Sequence, residues 1–312
     1  MNCLVAVVGP TAAGKSRLAL HLAQIFQGEV INADSRQIYR HMDIGTAKPS
    51  CDELALVRHH LVDIINPDEP FSLAIYQALA FEAIKDIQRR HKLPLLVGGS
   101  GLYVWSVVEG WKIPPVVPNT KFRRRLERKA QKTGSHAVFQ ELQKLDPEAA
   151  TRIMPTNLRR IIRALEIFKA TGRPVSEQWK KQPPPYPTFV IGLTMQREAL
   201  YRRIDSRVDE MIKQGLVEEI RGLIAKGYNP DLPSMSGIGY KQIAMYIQGE
   251  TDLSTAIEQI KKETHRFARH QYAWFRLGDV RIRWLNEYDD APTKAANLVA
   301  SFLADIQMRA DQ

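Results

Sequence analysis

Gly9-Pro10-Thr11-Ala12-Ala13-Gly14-Lys15-Ser16 is a complete G-x-x-x-x-G-K-[ST] phosphate loop. Ahead of it stands the apolar run Leu4, Val5, Ala6, Val7, Val8, and behind it Leu18, Leu20, Leu22, Ala23 and Ile25 recur at helical spacing. A buried strand that feeds a helix N-terminus through a glycine turn is the setting in which this motif binds phosphate. Gly9 and Gly14 permit the tight backbone, the inward N–H groups and the positive helix end attract anions, Lys15 adds a cation, and the Ser16 hydroxyl can hold Mg²⁺. The loop points to a di- or triphosphate ligand and to a sheet of parallel strands.

Further strands are expected at residues 29–32, 60–64 and 93–97, with helices at 72–91 and 102–108; strand and helix alternate as in a parallel sheet. The joint Ile113-Pro114-Pro115-Val116-Val117-Pro118 breaks that pattern, and residues 120–169 read as wholly helical. A second joint, Gln182-Pro183-Pro184-Pro185-Tyr186-Pro187, precedes a strand at 189–193. Helices at 197–214, 217–226, 240–248 and 253–275, a strand at 280–285 and a helix from 291 follow. The expected fold class is α/β, a P-loop NTPase-like parallel sheet flanked by helices with an inserted all-helical domain. Its expected limits are 1–114 and 188–312 for the core and 115–187 for the insert.

Composition bounds the function. The 312 residues, 44% hydrophobic and 25% charged, are those of an ordinary two-domain globular protein, neither disordered nor fibrous. With no basic leader and no apolar run long enough to span a bilayer, a cytoplasmic monomer with no membrane partner is expected. Cys3 and Cys51 are the only cysteines, which argues against a disulfide framework or a Cys-rich zinc site. Residues 119–181 hold 16 Lys plus Arg against 6 Asp plus Glu, a surplus that equals the +10 of the entire chain. Such concentration fits a polyanion-binding face, nucleic acid above all, with a solvated helix surface as the alternative.

A phosphate loop alone most often serves ATP or GTP chemistry, whose usual companion is an acid closing an apolar strand to hold Mg²⁺. The best such strand, Leu93-Pro94-Leu95-Leu96-Val97, ends in Gly98-Gly99 instead, and Asp63 after Leu61-Val62 is a weaker candidate. Asp34, in Asp34-Ser35-Arg36-Gln37-Ile38-Tyr39, follows the second strand where open parallel sheets build their ligand crevice. From position alone it is either a general base or the cap of a turn.

Read together, these segments resemble the bacterial tRNA dimethylallyltransferase (tRNA isopentenyltransferase) family. The resemblance is carried by the phosphate loop, Asn32-Ala33-Asp34-Ser35-Arg36-Gln37 with Tyr39, and Met42-Asp43-Ile44-Gly45-Thr46-Ala47-Lys48-Pro49. It continues through His59-His60-Leu61-Val62-Asp63 with Phe71-Ser72, Gly98-Gly99-Ser100-Gly101-Leu102-Tyr103 and Arg159-Arg160-Ile161-Ile162-Arg163-Ala164-Leu165-Glu166. Gly237-Ile238-Gly239-Tyr240-Lys241-Gln242 and Ala268-Arg269-His270-Gln271 complete it, so the match spans nearly the entire chain. Only the phosphate loop is widely shared with other families.

The resemblance implies transfer of the five-carbon group of dimethylallyl diphosphate to the exocyclic N6 of the adenosine beside the anticodon (position 37) of tRNA, with release of diphosphate. It further implies that residues 9–16 cradle the diphosphate with Mg²⁺ at Ser16, that Thr11 and Arg207 reach the scissile oxygen, and that Asp34 accepts the N6 proton. Ser35, Arg36 and Gln37 would hold the target nucleotide beside Asp34. Ser100, Arg123 and the run Arg159, Arg160, Ile161, Ile162, Arg163 would meet the anticodon stem-loop.

Departures are few: Ser100 stands where threonine is common, and His270 where arginine precedes Gln271. The Cys and His of the C-terminal zinc finger of eukaryotic relatives are missing, so a bacterial type is expected. Two other readings compete. Adenylate isopentenyltransferase shares the phosphate loop and the Asp-Ser-Arg-Gln type of segment but leaves the basic insert unexplained, and a non-covalent P-loop RNA-binding module leaves Asp34 unexplained.

Overall fold

The structure, a computed structural model, describes residues 2–286 and 290–310. The first half of the core runs β1 (Leu4–Val8), α1 (Lys15–Ile25), β2 (Gly28–Asn32), α2 (Cys51–Leu56), β3 (His59–His60), α3 (Leu73–Arg89), β4 (Leu93–Val97) and α4 (Gly101–Val108). The intervening segment folds as α5 (Thr120–Thr133), α6 (Ser135–Leu145), α7 (Pro147–Arg152), α8 (Leu158–Thr171) and α9 (Val175–Gln178). The chain then resumes with β5 (Thr188–Thr194), α10 (Arg197–Lys213), α11 (Leu216–Ala225), α12 (Tyr240–Ile247), α13 (Leu253–Trp274), β6 (Ile282–Asn286) and α14 (Ala291–Ala310).

The six strands form one parallel sheet in the order β3-β2-β4-β1-β5-β6. Every residue of β1 and β4 is buried, as apolar central strands of a parallel sheet must be when helices cover both faces. On one face Leu18, Leu22 and Ala23 of α1 pack with Ala295 and Val299 of α14 over the strand side chains Val5, Val7 and Leu95. Because the strands share a direction, β1, β2, β4 and β5 deliver their following loops to one edge, where ligands bind in such sheets.

A second cluster joins the loop after β2 to the C-terminal helices: Ile38, Tyr39 and Met42 pack with Leu216, Ile220, Tyr240 and Ile243. The strand expected at 60–64 shrinks to two residues, because Leu61 and Asp63 take left-handed φ values of 63° and 55°. The chain then turns to donate the Ile64 and Ile65 N–H groups to Ile38 O at 2.9 and 3.2 Å.

Two compact units result, residues 1–108 with 184–312, and residues 109–183. The inserted unit opens earlier than the expected 115 and closes earlier than 187. Its ends are pinned to each other, with Gln182 N–H on Gly110 O at 2.8 Å and Lys112 N–H on Lys180 O at 2.9 Å. Its core gathers Phe122, Leu126, Val138, Leu142, Ile161 and Leu165. The helical run expected over 120–169 is interrupted at Gly134, Asp146 and Asn157, each the N-cap of a new helix.

Candidate active site

The phosphate loop wraps the N-terminus of α1 as the strand–turn–helix pattern demands. A Cβ on Gly9, whose φ is 139°, would lie 2.3 Å from Leu193 O on β5, so only glycine lets the loop pass this close to the sheet. Gly14 caps the helix in a left-handed conformation, and the first turn holds no acid. The helix therefore presents uncompensated positive charge at the loop. Lys15 Nζ donates to Pro10 O at 2.7 Å. Its withdrawal from water pushes its ammonium down to about 8, with Asp34 pulling the other way and Arg207 adding to the fall.

Arg207 arrives from α10. Tyr201, Asp205 and Asp209, four residues apart, meet Arg269, His265 and Lys261 of α13 in three polar rungs. That pairing commits one face of α10 to α13 and leaves Arg203 and Arg207 on the wall of the phosphate cavity. Burial lowers the Arg207 pKa from its ordinary value, and nearby Asp34 partly offsets this. Lys15 and Arg207 are thus two desolvated cations facing one carboxylate, an arrangement that favours a further anion between them.

Asp34 follows β2 in a tight Asx turn. Its N–H donates to Asn32 Oδ1 at 2.9 Å and its Oδ1 accepts from Arg36 N–H at 2.8 Å. Asn32, 4% exposed, also donates to Asp34 O and Leu61 O, which fixes the turn from below. Of the two roles considered for Asp34, the structure shows the turn cap, made by Oδ1; Oδ2 has no hydrogen-bond partner among the described residues. A cavity of about 500 Å³ lies over the loop and Lys15. A second, of about 310 Å³, is lined by apolar side chains such as Ile204, Val208 and Ile238. The two meet at Thr11, Ala12, Asp34, Thr46 and Arg207.

The other expected contacts are placed less simply. Arg36 spends its guanidinium on Pro233 O, Ser234 O and Ser236 Oγ, and Gln37 Nε2 donates to Thr46 O and Ala47 O. Both side chains shape the loops around the cavities with donors expected at the nucleotide. Ser100 Oγ accepts from Ser35 N–H at 3.1 Å, which places both hydroxyls at the second cavity. Asp63 lines neither cavity and pairs with Lys48, which also holds Asp43 and Tyr39 O.

In the insert, Arg159 and Arg160 are exposed on the first turn of α8, a second basic addition to an already positive helix end. Ile161 and Ile162, 0% and 4% exposed, are corrected to core residues, since their side chains point into the insert's own apolar cluster. Arg123 and Arg163 are both drawn to the buried Glu166, whose carboxyl they help hold at about 2 against the cost of burial.

Sequence reasoning passed over Glu219 on α11. It accepts from three successive backbone amides, Asp43 (2.9 Å), Ile44 (2.7 Å) and Gly45 (3.2 Å), and from the Tyr240 hydroxyl at 2.5 Å. This clamp fixes the loop that carries Thr46 into both cavities. Nothing near Glu219 in sequence announces the clamp, because the three amides it holds lie about 175 residues away.

Metal-binding capacity rests on oxygen donors. Among the described residues no group of three or more His, Cys, Asp or Glu side chains is placed to hold an ion. The Ser16 hydroxyl is exposed and lines the same cavity as Asp34. A hard, oxygen-only set with few protein donors suits Mg²⁺, which keeps several waters and shares substrate phosphates.

Comparison with known proteins agrees with this geometry. The model of the IPP transferase family matches residues 37–278. The tRNA dimethylallyltransferase of Roseiflexus castenholzii is 54% identical over 273 residues, covering 88% of this chain and 89% of the relative. The solved full-length tRNA isopentenylpyrophosphate transferase of Bacillus halodurans superposes with a TM-score of 0.74 at 40% identity over 100% of both chains. A eukaryotic dimethylallyltransferase acting on tRNA gives a TM-score of 0.83 at 27% identity, covering 98% of this chain and 80% of the other. With the phosphate loop, the Asp34 turn and the basic helical insert all in one chain so matched, this protein belongs to the IPP transferase family.

Proposed function

We propose that this protein, a cytoplasmic monomer, transfers the dimethylallyl group of dimethylallyl diphosphate to N6 of adenosine 37 of tRNA and releases diphosphate. The observation that carries the reading is the junction of a cation-lined cavity of about 500 Å³ with a smaller, partly apolar one at Thr11, Asp34 and Arg207. One holds an anion, the other accepts flat or apolar groups, and a carboxylate oxygen stands where they meet.

The allylic C–O bond breaks as the C–N bond forms; positive charge spreads over the allyl group and negative charge collects on the departing diphosphate. Loop amides, Lys15, Thr11 and Arg207 stabilise that leaving anion. Ser16 would hold Mg²⁺, which when bound would further neutralise the diphosphate. An exocyclic amine is a weak nucleophile because its lone pair feeds the ring, and Asp34 Oδ2 orients it and takes its proton as nitrogen bonds to carbon. An unpaired loop base is extruded at low cost, which suits an acceptor in the anticodon loop.

The insert argues for RNA over a free nucleotide. Its surplus positive charge has no use with an acceptor the size of AMP, whereas phosphate contacts from Arg159 and Arg160 would position a stem-loop without reading bases. Incubation with allyl-labelled dimethylallyl diphosphate and either tRNA or AMP tests this. Label in tRNA supports the reading, label in AMP favours the adenylate enzyme, and label in neither leaves only a binding module.

A further inference from the structure

Two segments, Gly98-Gly99-Ser100-Gly101 and the end of α13, meet the phosphate loop through one side chain. Gln271, 4% exposed, accepts the Thr11 backbone N–H on Oε1 at 2.7 Å and donates from Nε2 to Gly99 O at 3.0 Å. Only this orientation of the amide satisfies both partners, a donor on one side and a carbonyl on the other. Gly99 makes the approach possible, since a Cβ there would stand 2.1 Å from Nε2. The tie joins segments 260 and 172 residues apart, so no local structure replaces it.

What it holds is the bend of the loop. Ala12 has φ 62°, a left-handed conformation that costs a residue with a Cβ and persists only when its surroundings impose it. Anchoring the Pro10–Thr11 peptide sets where the Thr11 hydroxyl points and how the chain enters Ala12, the turn after which successive N–H groups face the anion. We infer that Gln271 is a positioning residue for the transfer: it acts through Thr11, holding it on the diphosphate from α13. The inference rests on the reading of Thr11 as a contact to the leaving group.

The test is a double-mutant cycle on the full-length protein with dimethylallyl diphosphate and tRNA. Gln271→Met keeps the volume and removes both hydrogen bonds, while Thr11→Val removes the hydroxyl and leaves the backbone N–H. Displacing a positioned group by about an ångström costs on the order of a hundredfold, so Gln271→Met should lower kcat roughly 10- to 100-fold. Its dissociation constant for tRNA without donor should stay within about threefold, because phosphate contacts elsewhere carry that affinity. If Gln271 acts through Thr11, the double variant is no slower than the slower single variant.

Multiplicative losses, or an unchanged kcat in Gln271→Met, overturn the inference while the site reading stands. Full activity in Thr11→Val overturns the reading of Thr11 and the inference with it. Should Gln271→Met fail to fold, Gln271→Asn takes its place in the cycle with the same expectation, being polar but one methylene too short to span both partners.

Discussion

Glu166→Gln in the insert gives a loss that can be worked out in advance. The carboxylate is 2% exposed and accepts four hydrogen bonds, from Asn119 N–H (2.6 Å), Arg123 Nε (2.9 Å) and Nη2 (2.7 Å), and Arg163 Nη1 (2.6 Å). Its carboxyl sits at about 2 against an ordinary 4.5. At about 1.4 kcal/mol per tenfold change in proton affinity, that depression stabilises the ionised folded form by roughly 3 kcal/mol.

Glutamine keeps one acceptor and the volume, and the arginines, about a third exposed, can recover some water. The expected loss is therefore about 2–3 kcal/mol, at the lower edge of breaking a buried pair. For a unit of this size it lowers the melting temperature by roughly 10–20 °C. Urea denaturation, with hydrogen exchange at α5 and α8 to localise the effect, measures it.

The pH dependence has a definite sign. A depressed carboxyl contributes its stability above about 4.5 and loses it as pH falls toward about 2, so the gap between native protein and variant should close across that window. A gap under about 0.5 kcal/mol at neutral pH, or one independent of pH, would mean that the ionised Glu166 does not stabilise the insert. Freed of their partner, Arg123 and Arg163 should also steepen the salt dependence of tRNA binding, by about 0.7–0.9 in slope for one more phosphate neutralised.

Asp34→Asn preserves the Oδ1 acceptor of the turn, so it should fold normally while kcat falls about 10²- to 10⁴-fold; turnover within about threefold of native would exclude Asp34 as the base. Lys15 is charged below about 8 and neutral above it. Hence kcat/KM for dimethylallyl diphosphate, which reports the free enzyme, should fall as pH rises through that value, and a flat profile to about pH 10 would contradict the assignment. Arg159→Ala with Arg160→Ala should reduce the salt slope of tRNA binding by about 0.7 for each phosphate that is no longer neutralised, with kcat at saturating tRNA little changed; an unaltered slope would place the RNA elsewhere.

The local architecture of the candidate site was legible where it depends on neighbouring residues. The phosphate loop needs a strand, a glycine turn and a helix in succession, and the Asp34 turn needs only the end of β2. The insert was legible as well, because proline joints and a charge surplus mark it. Contacts between distant segments were not: Glu219, Gln271 and the rungs between α10 and α13 depend on which surfaces the sheet brings together.

Arg123, Ile161 and Ile162 show a different limit. Arg123 is a basic residue in a basic domain, but its guanidinium is drawn to Glu166, 43 residues away. The two isoleucines lie among arginines in sequence yet on the opposite face of α8. Gly98-Gly99, which lacks the acid of an ATP-hydrolysing site, is a contact surface for Gln271 and for the backbone at Ala33.

On the proposed reading, the phosphate bound by the loop leaves and is never the group transferred. Dimethylallyl diphosphate labelled in both the allyl group and the phosphates, turned over on tRNA, distinguishes the two fates. The expected result is allyl label in the RNA, one diphosphate released per transfer, no phosphate label in the RNA, and near-complete loss of allyl transfer and diphosphate release in Asp34→Asn. Phosphate label in the RNA, or diphosphate release without allyl transfer, would contradict it.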